Sequence, residues 1–196
     1  TKAGNFGIAA GFSFFSTKVM TTGEGGMVTT DSFELSAKMK SMREFGKIQK
    51  GIITNYHEYF GYNWRMPEVS ALMGITQLKN LGRFVKRRQK IARIYDEELK
   101  DASRIRIVRP PSLKEHNYFK YIVILQDCER ATIHRMMEER GISPSGYVYE
   151  IPLHKQPVLS EYNAIYLPNT DLLCANHFCL PIFRICYFCT LINAFQ

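Results

Sequence analysis

This 196-residue chain lacks a run able to cross a bilayer: its uncharged end, residues 185–196, holds twelve residues where a helical span needs about 20. Its five cysteines are odd in number and four crowd the end, so no disulfide framework is read and reduced, cytoplasmic thiols are the default. Zinc-finger spacing is missing too. Cys186 and Cys189 form a C-x-x-C pair near Cys174, His177 and Cys179, but the gaps are short and apolar, which argues against a metal set. Acid is scarce, with 18 carboxylates against 26 Lys and Arg and a net charge of +8. That balance permits anion binding, yet no aromatics interleave the basic residues. Arg83, Lys86, Arg87, Arg88, Lys90 and Arg93 share a helix with Phe84, Ile91, Tyr95 and Leu99 at helical spacing, so the charges read as its solvated face. A nucleic-acid module is a weak rival, and no membrane partner is expected.

What the chain does have is Lys18. It ends the run Gly11-Phe12-Ser13-Phe14-Phe15-Ser16-Thr17-Lys18 and precedes Thr21-Thr22-Gly23-Glu24-Gly25-Gly26. Burial among phenyl rings lowers a lysine pKa from ~10.4 and turns the amine into a nucleophile able to form a Schiff base. The hydroxyls of Ser13, Ser16 and Thr17 suit an anion nearby. Amine plus anion donors is what pyridoxal phosphate requires; the bland reading is a strand ending in a surface lysine.

Three ordered segments resemble the DegT/StrS family of nucleotide-sugar aminotransferases: the Lys18 run, the helix ending in Met42-Arg43-Glu44-Phe45-Gly46, and Gly61-Tyr62-Asn63-Trp64-Arg65-Met66-Pro67-Glu68. The resemblance covers about residues 4–183. It implies an α/β chain of the fold-type-I pyridoxal-phosphate transferases, comprising an incomplete large domain and a small C-terminal α/β domain. Lys18 matches the lysine that bonds the cofactor aldehyde, Ser13 a serine on its phosphate, and Asn63 an asparagine reaching the phosphate of the neighbouring subunit. A homodimer with shared active sites follows. The substrates implied are an amino-acid donor, generally glutamate, and a nucleotide-linked keto-sugar. A related dehydratase branch has histidine at position 18, so the lysine favours transamination. Family members are nearly twice as long, and their preceding segment carries the aspartate that protonates the pyridine nitrogen. This piece alone is therefore expected to be inactive. A non-catalytic cofactor-binding regulator of the same fold is the alternative.

Along the chain, strands are expected at 11–15 and 27–30, and a helix at 32–43 stopped by Gly46. Residues 47–60 show no clear period and read as a loop whose far end packs. Pro67 and Glu68 open a helix over 69–81 with Val69, Leu72, Ile75 and Leu78 covered on more than one side, and a second helix follows over 83–99. The domain change is placed near residue 102. Beyond it, a strand at 117–125, a helix at 130–140 and a strand at 142–148 form a small α/β unit. Residues 151–157 resemble a family loop near the active site, and residues 180–183 its last motif. The end after Arg184 is atypical.

Asn63 also suits a plain turn. Arg65 steadies the same loop, meets an acid, or contacts substrate, and His154 is either a substrate contact or scaffolding. Glu24 reads as a turn acceptor; His57, His116, His134 and His177 stay unassigned.

Overall fold

The computed structural model describes residues 1–112, 115–126, 128–143 and 145–182, and forms two compact units, Thr1–Gly82 and Arg83–Gln196. The units part inside a helix rather than near residue 102, because the later half of that helix supplies Ile91, Ala92 and Tyr95 to the second unit's core.

In the first unit β1 (Ala9–Ser13) pairs antiparallel with β2 (Gly26–Thr30), Ala9 opposite Thr30 and Ser13 opposite Gly26. A Cβ on Gly26 would stand 2.9 Å from the Phe12 carbonyl oxygen, so this end of the ladder takes only glycine without a shift. The hydroxyl of Thr30 donates to Ile8 O at 2.6 Å and accepts the Ser32 N–H, which turns the chain out of the strand. Ser32 caps α1 (Phe33–Arg43) by accepting the Leu35 N–H at 3.1 Å, and Gly46 at φ +73° stops the chain beyond it.

Residues 47–57, expected as loop, are a hairpin of β3 (Lys47–Lys50) and β4 (Ile53–His57) reversed at Gly51, φ +59°. Too few of its residues are apolar to show a period. Backbone pairing holds it, with the Lys50 ammonium 4.3 Å from the Tyr56 ring centroid. The two expected helices are one, α2 (Glu68–Glu98), because Gly82 lowers helix propensity without removing a hydrogen bond. Val69, Leu72, Ile75 and Leu78 are not covered: each keeps more than half its surface in solvent. No large apolar side chain of residues 1–82 is buried; Thr22 and Ser41 are the buried polar ones.

The second unit holds the core. β5 (Ile105–Ile107), β6 (Tyr121–Leu125) and β7 (His177–Leu180) form an antiparallel sheet in that order. Tyr121, Val123 and Leu125, alternating along β6, join Ile91 and Tyr95 of α2, Leu99 just beyond it, and Ile133 and Met137 of α3 (Arg130–Glu138). Arg88, expected on the solvated face, is instead buried, and its guanidinium donates to Tyr118 O at 3.0 Å and Phe119 O at 3.4 Å. Those contacts hold the turn where Tyr118 adopts φ +47°, which delays β6 beyond residue 117. Among the described residues of 142–148 the expected strand does not form. Gly146 at φ +70° breaks it, and the segment is tied to β7 by the Cys179 N–H to Gly146 O and by the Val148 N–H to His177 Nε2. The last helix among the described residues is α4 (Pro168–Asn176). Phe183 of the expected final motif and the atypical end lie outside the described residues.

Candidate functional site

Lys18 rides on a loop stitched shut at Phe14. The Phe14 N–H donates to Gly25 O, and Phe14 O accepts both the Thr22 N–H at 2.9 Å and the Thr21 hydroxyl at 3.0 Å. Thr21 Oγ1 also accepts the Gly23 N–H, while the Thr22 hydroxyl donates to Glu24 O at 2.7 Å. Thr22 is buried because two glycines make room: a Cβ on Gly25 would meet Met66 Cε at 2.9 Å, and one on Gly74 of α2 would meet Thr22 Cγ2 at 2.9 Å. Glycines 23 and 25 serve the turn as expected, whereas the threonine staples escaped the sequence reading, although two threonines before a glycine are a turn signature.

Within this loop Ser13 ends β1, exposed, with Oγ accepting the Phe15 N–H at 3.4 Å. Lys18 is half-buried, its N–H bonded to Phe15 O at 2.9 Å. Phe12 and Phe15, two of the rings expected to enclose the amine, are themselves 39% and 42% exposed.

Asn63 is placed by a crossing of two glycines. A Cβ on Gly61 would sit 2.8 Å from Gly46 Cα, and one on Gly46 would sit 2.6 Å from the Tyr59 carbonyl carbon. The close approach lets the Phe45 N–H reach Tyr62 O (3.0 Å), the Tyr62 N–H reach Met42 O (2.7 Å) and the Trp64 N–H reach Arg43 O (3.1 Å). Asn63 thereby forms a β-bridge with Glu44 and stays exposed, between the stacked rings of Tyr62 and Trp64 in sequence. Arg65 both meets an acid and steadies the loop: its guanidinium donates to Glu44 Oε1 and lies 5.1 Å from the Phe45 ring centroid. That hydrogen bond holds the Glu44 carboxyl below the ordinary carboxylate range. Glu44 was not singled out from sequence, and the i to i+21 separation gives no local signature for the pair.

Ser13 and Lys18 thus share one loop, and Asn63 and Arg65 share another segment of the same unit. His154 belongs to the second unit, in a 3₁₀ turn over Leu153–Lys155, with Nε2 facing Asp171 Oδ1 at 3.2 Å. His177 is structural: Nδ1–H donates to Leu173 O and Nε2 accepts from Val148 N–H, both at 2.8 Å.

A cleft of about 890 Å³ opens between the β1–β2 ribbon and α1, lined by Phe12, Met27, Met39, Met42, Trp64 and Met66 among others. Ser13 reaches it, but Lys18 and Asn63 do not line it, and its lining contains no carboxylate. It is a gap between layers, not the lysine's site. Among the described residues no group of three or more His, Cys, Asp or Glu side chains is placed to hold a metal, and no helix is long and apolar enough to cross a membrane. Cys186 and Cys189 lie outside the described residues.

The DegT/DnrJ/EryC1/StrS aminotransferase family profile matches residues 1–185. An uncharacterized protein, MJ1066 of Methanocaldococcus jannaschii, is 33% identical over 93% of this chain and 50% of its own length. A UDP-4-amino-4,6-dideoxy-N-acetyl-beta-L-altrosamine transaminase of Helicobacter pylori is 28% identical over 79% of this chain and 43% of its own. The structure of Helicobacter pylori PseC, an aminotransferase involved in the biosynthesis of pseudoaminic acid, superposes with a TM-score of 0.88 at 24% identity, covering all of this chain and 55% of that one. That likeness bears out the expected fold-type-I architecture. The chain spans about half the length of the curated relatives it matches.

Proposed function

The chain belongs to the DegT/DnrJ/EryC1/StrS aminotransferase family, and from that premise we propose that it is the cofactor-lysine portion of a cytoplasmic pyridoxal-phosphate enzyme that moves an amino group from glutamate to a nucleotide-linked keto-sugar. The observation that carries the reading is the stapled loop, which puts the Ser13 hydroxyl and the Lys18 amine on one fixed segment. Amine and hydroxyl fit the cofactor's aldehyde and phosphate ends. Pyridoxal phosphate, when bound, supplies an aldehyde that condenses with amines and a ring that withdraws electrons.

The chain's own residues do the rest. Lys18 Nζ anchors the cofactor and, once displaced by the amino donor, carries a proton as base and then acid. Ser13 holds the phosphate, and Asn63, presented on the glycine crossing, reaches the phosphate in a second copy of the chain, so the working form is a homodimer. Arg65 and His154 contact substrate, Arg65 with Glu44 setting its guanidinium.

Borohydride reduction of the pyridoxal-phosphate-loaded protein, followed by peptide mapping, is expected to fix the label on Lys18. Label elsewhere, or none, refutes the assignment. A cofactor absorbance band that glutamate bleaches supports transfer, whereas one indifferent to every amino donor supports a non-catalytic regulator.

A further inference from the structure

His154 and His177 are the two buried histidines among the described residues, and the fold treats them oppositely. His177 has both ring nitrogens engaged. The His154 side chain is only 6% exposed, yet Nε2 and the Asp171 Oδ1 it faces at 3.2 Å are both without an aligned hydrogen bond. Distance is adequate and direction is not, a state that a small ring rotation corrects.

Asp171 is held as an acceptor from two sides. The Lys155 ammonium stands 2.9 Å from its Oδ2, and the residue lies in the first turn of α4, where backbone N–H groups favour negative charge. The turn carrying His154 is fixed by the Lys155 N–H to Pro152 O, the Gln156 N–H to Leu153 O, and the Gln156 side-chain amide to Ile151 O. Those bonds fix the backbone at His154, and the ring on it is held within reach of the carboxylate by its burial.

A neutral imidazole has one N–H, and a carboxylate only accepts. The nitrogen facing Asp171 must then carry the proton, and the opposite nitrogen must carry the lone pair. We propose that Asp171 is a positioning residue that fixes His154 as the Nε2–H tautomer, making Nδ1 the hydrogen-bond acceptor that His154 offers to a substrate hydroxyl. The proposal rests on the reading of His154 as a substrate contact. Engagement of Nδ1 would draw the ring round and align Nε2–H with Oδ1, as poorly aligned pairs in empty sites tighten when ligand binds.

The test is a long-range proton–nitrogen correlation on the 196-residue chain labelled with ¹⁵N-histidine, the His154 signals being identified by their loss in His154→Gln. The expected pattern is Nε2–H for His154 and Nδ1–H for His177, read in the same spectrum. Asp171→Asn, whose amide can donate as well as accept, is expected to collapse the His154 preference to a mixture, and Asp171→Glu to restore it. An Nδ1–H pattern for His154 in the unmodified chain overturns the proposal without any variant having to fold. So does a pattern that Asp171→Asn leaves unchanged. Loss of cofactor labelling at Lys18 would refute amino transfer and leave this result standing; a wrong tautomer would sink the Asp171 assignment and leave the labelling untouched.

Discussion

Replacing Gly61 by alanine probes the crossing that places Asn63. The added methyl would stand 2.8 Å from Gly46 Cα and closer still to Gly46 N and the Phe45 carbonyl carbon, all backbone atoms that cannot swing aside. Relief requires the 59–64 segment to retreat by roughly an ångström, since carbon contacts are favourable only near 3.5–4.0 Å. A retreat of that size breaks the Tyr62 N–H to Met42 O and Phe45 N–H to Tyr62 O bonds and strains the Trp64 N–H to Arg43 O bond. At about 1 kcal/mol net for each bond, the expected cost is about 2–3 kcal/mol, or a rise of roughly 30- to 150-fold in local opening. Amide hydrogen exchange reads this directly at Phe45, Tyr62 and Trp64. Gly11→Ala is the control, because a Cβ there meets nothing within 4 Å. Exchange at those three amides no faster in Gly61→Ala than in Gly11→Ala would refute the crossing as the device that holds Asn63. Acceleration by both substitutions would do the same.

Tyr121 donates to Asp96 at 2.9 Å, and burial first, then that bond, raises its phenol above the ordinary value. Above about pH 10 the unfolded state loses the proton while the folded state keeps it, so stability should fall with pH by up to about 1.4 kcal/mol per unit for this group; Tyr121→Phe should flatten the slope in alkaline urea titrations, with Tyr118 retaining a smaller share. Glu44 has the opposite sign: its depressed carboxyl supports the fold above the ordinary value of about 4.3, and that support is lost as pH falls through the lower folded value. Carbon-detected titration should show the Glu44 midpoint rise in Arg65→Gln. Met137→Ala, at a fully buried position, should cost about 2–5 kcal/mol in urea unfolding, whereas Ile52→Ala, 99% exposed, should stay within about 0.5 kcal/mol. Ser32→Ala should weaken α1 by about 1 kcal/mol and Ser32→Asp should not, as followed by exchange at the Leu35 amide.

Local chemistry was readable wherever one residue decides the backbone. Ser32, Gly46 and the turn glycines announced their elements, and the unbroken aromatic and branched run over residues 121–125 announced the central strand. What failed depended on distant partners. The β3–β4 hairpin draws on backbone pairing that leaves no apolar period, β7 is recognisable only beside β6, and Arg88 is buried by carbonyls about thirty residues on. Lys18, Ser13 and Asn63 stood out through their motifs, while Glu44 and Asp171 matter through pairings that sequence spacing does not reveal.

The first unit buries no large apolar side chain, while the cluster of buried apolar residues lies in the second. Local opening is cheap where few apolar contacts are lost, so a protease used sparingly should nick residues 1–82 long before it reaches Tyr121, Met137 or Phe178. The loop that carries Lys18 owes its shape to hydrogen bonds instead of a core, and whatever seats itself on that loop should shield it from cutting.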